Sequence, residues 1–69
     1  IDRAVQEALE AKREYEREDW EVDHFPEGEI QEMVELYQEK AGMTEEDATL
    51  VARTLSKYRK FWVDHMLMH

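Results

Sequence analysis

Apolar residues recur along the chain at steps of three and four, the spacing that places side chains on one face of an α-helix. The alternation that marks a half-buried strand is absent, and there are only two Gly and one Pro. The pattern predicts an all-α, three-helix domain with long first and third helices and a shorter middle helix. The predicted helices run from about Asp2 to Asp23, from about Pro26 to Lys40, and from Thr44 to the end of the chain.

Each predicted helix carries an apolar stripe that we expect to face a shared core. The stripe of the first helix comprises Ile1, Val5, Ala8, Ala11, Tyr15 and Val22. The stripe of the second comprises Ile30, Met33, Val34, Tyr37 and Ala41. The buried side of the third comprises Ala48, Val51, Ala52, Leu55, Tyr58, Trp62 and Met66.

Three residues set the predicted helix boundaries. Pro26 ends the first helical pattern, because proline pushes the preceding residue out of helical conformation. It can also begin the second helix, since proline is tolerated in the first turn of a helix. Gly42 fits the position after a helix where a positive φ is needed. Thr44 is a favourable N-cap, and an acidic first turn follows it.

Length and charge limit the functions to consider. The 69 residues form one domain at most, with a core of marginal size that a bound metal, a partner or a tether would stabilise. The net charge of −9 argues against binding nucleic acid or an anionic membrane surface, because both need basic patches. There is no cysteine, which excludes disulfides and Cys-based zinc or redox sites. The chain begins with Ile1 and stops inside a helical pattern, so we expect it to be a piece of a longer protein.

The run from Glu18 to Glu39 holds nine carboxylates and no Lys or Arg. This crowding costs self-repulsion that a bound cation would relieve, and carboxylates are the oxygen donors that hard divalent metals use. Helix C-termini favour basic residues, yet four of these carboxylates crowd the last turn of the first predicted helix (Glu18, Asp19, Glu21 and Asp23). A local rule broken in this way is typical of a functional site.

Two Glu-x-x-Glu pairs, Glu18/Glu21 and Glu29/Glu32, lie on either side of the predicted turn at Phe25. Each pair places two carboxylates on one helix face. A sharp turn would bring the start of the second helix back towards the end of the first. We therefore expect four carboxylates to converge from two helices, although a solvated glutamate-rich helix face is the ordinary alternative.

Other candidate ligands carry weaker signals. Asp19-x-Glu21-x-Asp23 begins like an EF-hand loop but lacks its glycine and its last glutamate, and a single Glu21-x-x-His24 does not make a di-iron centre. His65 and His69 have the spacing of a helical pair that binds a metal such as Zn²⁺. Met66 and Met68 offer thioethers, which favour softer ions, although ordinary core packing also explains Met66.

The chain resembles a known family in three segments. These are the acidic run before "FPE", the junction "ELYQEKAGMTEEDA", and "FWVDHM" near the end. Across roughly residues 14 to 68 the chain looks like the cytosolic metal-binding domain of vacuolar iron transporters. The resemblance implies a domain between two membrane spans of a dimeric, proton-coupled exporter of Fe²⁺ into the vacuole. The expected location is the cytosolic face of the vacuolar membrane.

The resemblance also implies a ligand set. Carried over by position, the glutamate ligands are Glu18, Glu21, Glu29 and Glu32, with Met66 and Met68 as thioether ligands from the third helix. The family pattern has a methionine pair and a further glutamate in that helix. Here Leu67 separates the two methionines, and either His69 or a residue after it completes the set.

The sequence therefore predicts a binding domain rather than an enzyme, since no nucleophile stands with a base. Fe²⁺ is the expected metal, with Zn²⁺, Mn²⁺ or Co²⁺ able to substitute. The expected partners are metal ions and a second copy of the chain, without nucleic acid, and with the membrane reached only through flanking helices outside the chain. The alternative is an acidic helical interaction module that presents exposed aromatics such as Trp20 and Phe61.

Overall fold

A computed structural model describes residues 2–69. Four α-helices follow in order: α1 (Arg3–His24), α2 (Pro26–Ala41), α3 (Glu45–Leu55) and α4 (Arg59–Leu67). The described residues contain no strand, so the all-α prediction is confirmed. Ile1, which we placed in the first apolar stripe, lies outside the described residues.

The predicted helix boundaries are confirmed by capping contacts. The side chain of Asp2 accepts a hydrogen bond of 2.8 Å from the backbone N–H of Ala4 and so starts α1. Gly42 ends α2 with φ 68°, a conformation that glycine adopts without steric cost. Thr44 starts α3, because its hydroxyl accepts from the backbone N–H of Asp47 at 3.1 Å.

The prediction of one continuous third helix is wrong. The helix ends at Leu55, and a turn at residues 56–58 precedes α4. In this turn the Tyr58 N–H donates to the Leu55 carbonyl at 3.0 Å, and the Ser56 hydroxyl donates to the Arg53 carbonyl at 2.9 Å. No proline or glycine lies in this turn, and the helical spacing of apolar residues continues across it. The spacing alone therefore predicts an unbroken helix. The break lets α4 change direction and pack against α1.

The core lies between α2, α3 and the first half of α4. Its fully buried side chains include Trp62 and Val63 from α4, and Ala48 and Ala52 let α2 approach α3 closely. The predicted stripe of α2 is confirmed at Ile30, Met33, Val34 and Tyr37, whereas Ala41 is exposed. Tyr58 is exposed rather than buried, because it lies in the unpredicted turn.

The first helix contributes less to the core than its stripe predicted. None of its residues is fully buried, and residues 2–14 are all exposed. Only its second half packs on the other helices, with Val22 against the core. The described residues span 47 × 24 × 16 Å, consistent with a long α1 beside shorter helices. Among residues 2–69, no helix is at once long enough and apolar enough to cross a bilayer.

Candidate metal centre

The corner between α1 and α2 brings three glutamates together. α1 ends with the Phe25 N–H bonded to the Glu21 carbonyl at 2.6 Å, and α2 begins at the very next residue, Pro26. This tight connection leaves Glu18, Glu21 and Glu29 with one carboxylate oxygen each within 4.8 Å of the others. The structure thus places three of the four predicted glutamates within reach of a single ion.

Glu29 is the unusual member of this group. Its side chain is only 5% exposed, and it is the one buried charged residue of the described chain. Burial, followed by a hydrogen bond with Glu21 and repulsion from Glu18 and Glu32, raises the pKa of Glu29 to about 8. Burial and the nearby Glu21 also raise the pKa of Glu18. Near neutral pH the Glu29 carboxyl therefore keeps a proton that it shares with its neighbours.

A cleft of about 200 Å³ opens beside these glutamates, between α1, α2 and α4. The lining residues are Glu18, Glu29, Glu32, Met33, Leu36, Met66 and His69. Glu32, the fourth predicted glutamate, is exposed and lies on the same face of α2 as Glu29. Of the two predicted thioether ligands, Met66 lines the cleft, whereas Met68 is 81% exposed and lies outside it.

Within the described part of the chain, the carboxylates of the cleft form no salt bridge, and the one cation that acts on them is Arg17, whose charge opposes the rise in the pKa of Glu18. Among the ion pairs of residues 2–69, none includes Glu18, Glu21, Glu29 or Glu32. A buried carboxylate without a cation is costly, so the group either holds a proton, as Glu29 does here, or binds a cation such as a divalent ion. The arrangement fits a metal, since oxygen donors suit hard divalent ions and the thioether of Met66 adds a soft donor.

Arg59 compensates the other two carboxylates at the end of α1. Its guanidinium bonds to Asp19 at 3.0 Å, to Asp23, and to the Asp19 carbonyl at 2.9 Å. The hydrogen bond from Arg59 holds the pKa of Asp23 below its usual value. The sequence analysis did not identify Arg59 as their partner. The only signal for it was the four carboxylates at the C-terminus of a helix, an arrangement that a basic residue from elsewhere in the chain would stabilise.

The two C-terminal histidines have different surroundings. The Tyr37 hydroxyl and the His65 Nε2 atom are 2.6 Å apart, and the His65 ring stacks on Phe61. Burial lowers the pKa of His65. His65 does not line the cleft, whereas His69 does. The structure therefore does not bring the predicted His65/His69 pair to the cleft as a unit.

Comparison with known proteins gives the same family from a family model and from two relatives. The model of the VIT family matches residues 3–69 of the chain. A vacuolar iron transporter of Toxoplasma gondii (strain ATCC 50861 / VEG) is 47% identical over 55 residues, covering 80% of this chain and 18% of that protein. A vacuolar iron transporter of Plasmodium falciparum (isolate 3D7) is 33% identical over 54 residues, covering 78% of this chain and 20% of that protein.

These relatives are much longer than the chain, which spans about a fifth of the length of each. No solved structure gives a significant match. The comparisons therefore show the family of the chain, over residues 3–69.

Proposed function

The chain belongs to the VIT family, and from that premise we propose that it captures a divalent transition metal, Fe²⁺ above all, as the metal-binding domain of a vacuolar iron transporter. The domain delivers this cargo to a proton-coupled transport pathway that lies outside the chain. It acts at the cytosolic face of the vacuolar membrane, in a dimer. It binds and does not catalyse a chemical reaction.

One observation carries the proposal: Glu29 is buried beside Glu18 and Glu21 without any cationic partner. A glutamate-rich surface that serves only solubility or a basic partner would keep its carboxylates hydrated. Here one carboxylate is removed from water and its pKa is raised to about 8. A metal ion offsets this cost, which makes a binding site a better explanation than an acidic interaction surface.

Capture is expected in two stages. The net charge of −9 raises the local concentration of cations around the domain. The ion then enters the cleft, where Glu18, Glu21, Glu29 and Glu32 offer oxygen donors and Met66 a thioether. Binding displaces the proton on Glu29, because a carboxylate must be ionised to ligate. Metal and protons therefore compete for the same group.

The proposal is tested by anaerobic calorimetry with Fe²⁺ in excess Mg²⁺. The test variant carries glutamine at the four proposed ligands, Glu18, Glu21, Glu29 and Glu32. The matched control carries glutamine at four exposed glutamates outside the cleft, Glu10, Glu14, Glu35 and Glu39. Both variants lose four carboxyl groups, and the control variant removes at least as much negative charge, because Glu29 is protonated near neutral pH. A general electrostatic effect would therefore weaken the control variant at least as much as the cleft variant.

We expect saturable Fe²⁺ binding in the wild type and in the control variant, and its loss in the cleft variant. Equal losses in the two variants would show that the acidic surface binds ions without a defined site. Absence of Fe²⁺ binding above the Mg²⁺ background in the wild type would refute the proposed function.

A further inference from the structure

The α4 side of the cleft presents an imidazole in addition to the Met66 thioether. His69 is exposed to solvent and lines the cleft together with the glutamates of α1 and α2. Its backbone N–H donates to the Met66 carbonyl at 3.3 Å, which keeps it in a last turn that continues from α4. Among the hydrogen bonds of residues 2–69, none involves the ring of His69, so the described structure leaves both ring nitrogens available to a ligand in the cleft.

The ring of the neighbouring histidine contacts the ring of His69. The rings of His65 and His69 are 4.7 Å apart between centroids and inclined at 75°. His65 is held in turn by the Tyr37 hydroxyl and by stacking on Phe61, at a centroid distance of 5.6 Å. A fixed ring packed edgewise against His69 reduces the conformations that His69 loses on binding a ligand.

We propose that His69 is a metal ligand and that its nitrogen makes the cleft selective for borderline divalent ions such as Zn²⁺ and Co²⁺ over hard ions such as Mn²⁺ and Mg²⁺. The inference rests on the proposed function, because it adds a donor to that site. Imidazole suits Zn²⁺, Fe²⁺ and Ni²⁺, whereas carboxylate oxygens alone suit Mg²⁺ and Mn²⁺. A cleft that adds one imidazole and one thioether to its carboxylates would therefore bind hard divalent ions and bind borderline ions more tightly.

The test compares Zn²⁺ and Mn²⁺ affinities of the 69-residue chain with those of the His69→Ala variant. His24→Ala is the matched control, since His24 is exposed at the end of α1 and does not line the cleft. The wild-type chain and both variants are prepared with a C-terminal amide. The amide removes the terminal carboxylate, which would otherwise lie beside His69 and bind metal. Loss of one imidazole ligand should weaken Zn²⁺ binding about tenfold or more and Mn²⁺ binding less than about threefold.

A second readout identifies the ligand without relying on a substitution. Histidine ring nitrogen resonances of ¹⁵N-labelled protein are recorded during titration with Zn²⁺. Direct ligation shifts a nitrogen of His69 at one equivalent of metal, while the rings of His24 and His65 change little. A Zn²⁺-dependent shift at His65 instead of His69 would overturn the assignment.

The result separates this inference from the proposed function, because Glu29→Gln is measured in the same series. If Glu29→Gln weakens both metals while His69→Ala weakens neither, the carboxylate site stands and the role of His69 is refuted. If Glu29→Gln leaves both affinities unchanged, the proposed site fails, and the ligand assignment of His69 fails with it. A selective loss of Zn²⁺ in His69→Ala, together with a loss of both metals in Glu29→Gln, supports both.

Discussion

Replacing Glu29 with glutamine keeps the shape of the buried side chain and removes its charge. The change tests whether the cleft carries a destabilising carboxyl group in the absence of metal. The folded pKa of about 8 lies above the usual value of 4.5, so the folded state holds a proton that the unfolded chain releases. The free energy of unfolding therefore falls as pH rises between these two values.

The magnitude follows from the two pKa values. Each pH unit in this window costs up to about 1.4 kcal/mol, which amounts to about 3 kcal/mol at pH 7 relative to the protonated form. A domain of this length has roughly 3–10 kcal/mol of total stability, so the effect is large. Glutamine cannot ionise, and we expect Glu29→Gln to be more stable than the wild type at pH 7–8 while binding metal at least about tenfold more weakly.

The assay is urea unfolding of both proteins in the presence of a chelator, at several pH values. His65 acts in the opposite sense below pH 6.5, because its pKa is lowered in the folded state. The useful window is therefore pH 6.5 to 8, where the wild type should lose roughly 1–2 kcal/mol of unfolding free energy. The variant should change much less. A wild-type stability that stays level or rises over this window would refute the reasoning.

Four further substitutions, at three positions, test the surroundings of the site and the end of α2. Arg59→Ala should weaken Zn²⁺ binding in calorimetry, because it frees the glutamate-bearing end of α1 from α4, and unchanged affinity would contradict this positioning role. Gly42→Ala should cost about 1 kcal/mol in urea unfolding, since φ is 68°, whereas Gly42→Asn should cost less. Tyr37→Phe should cost about 1 kcal/mol by leaving His65 without its hydrogen bond, and an equally stable variant would argue against that bond.

Much of the fold follows from short-range chemistry. Proline at the start of α2, glycine after its end and threonine before α3 each act within one helical turn, so their effects are visible in sequence. The apolar stripe of α2 was also predicted. One face of α2 is buried along most of its length, so the apolar residues of that face recur at regular helical spacing. The break before α4 was not, since no residue in it disfavours a helix strongly.

The proximity of the glutamates was predicted in part for similar reasons. The two Glu-x-x-Glu pairs and the turn between them are local features, and the structure brings Glu18, Glu21 and Glu29 within 4.8 Å. The arrangement on α4 is not local. Tyr58 is predicted to lie in the core but is exposed, because the chain turns at this residue and α4 continues in a different direction.

The sequence by itself determined the helical class, the helix caps around α2 and the concentration of carboxylates at one corner, because each depends on residues a few positions apart. Only the tertiary structure decided that Glu29 is buried, that Arg59 pairs with Asp19 and Asp23, and that His69 lines the cleft. Those outcomes depend on how α1, α2 and α4 pack together, at separations of up to 40 residues. Packing at such distances is settled by the fit of whole helices, which no local pattern encodes.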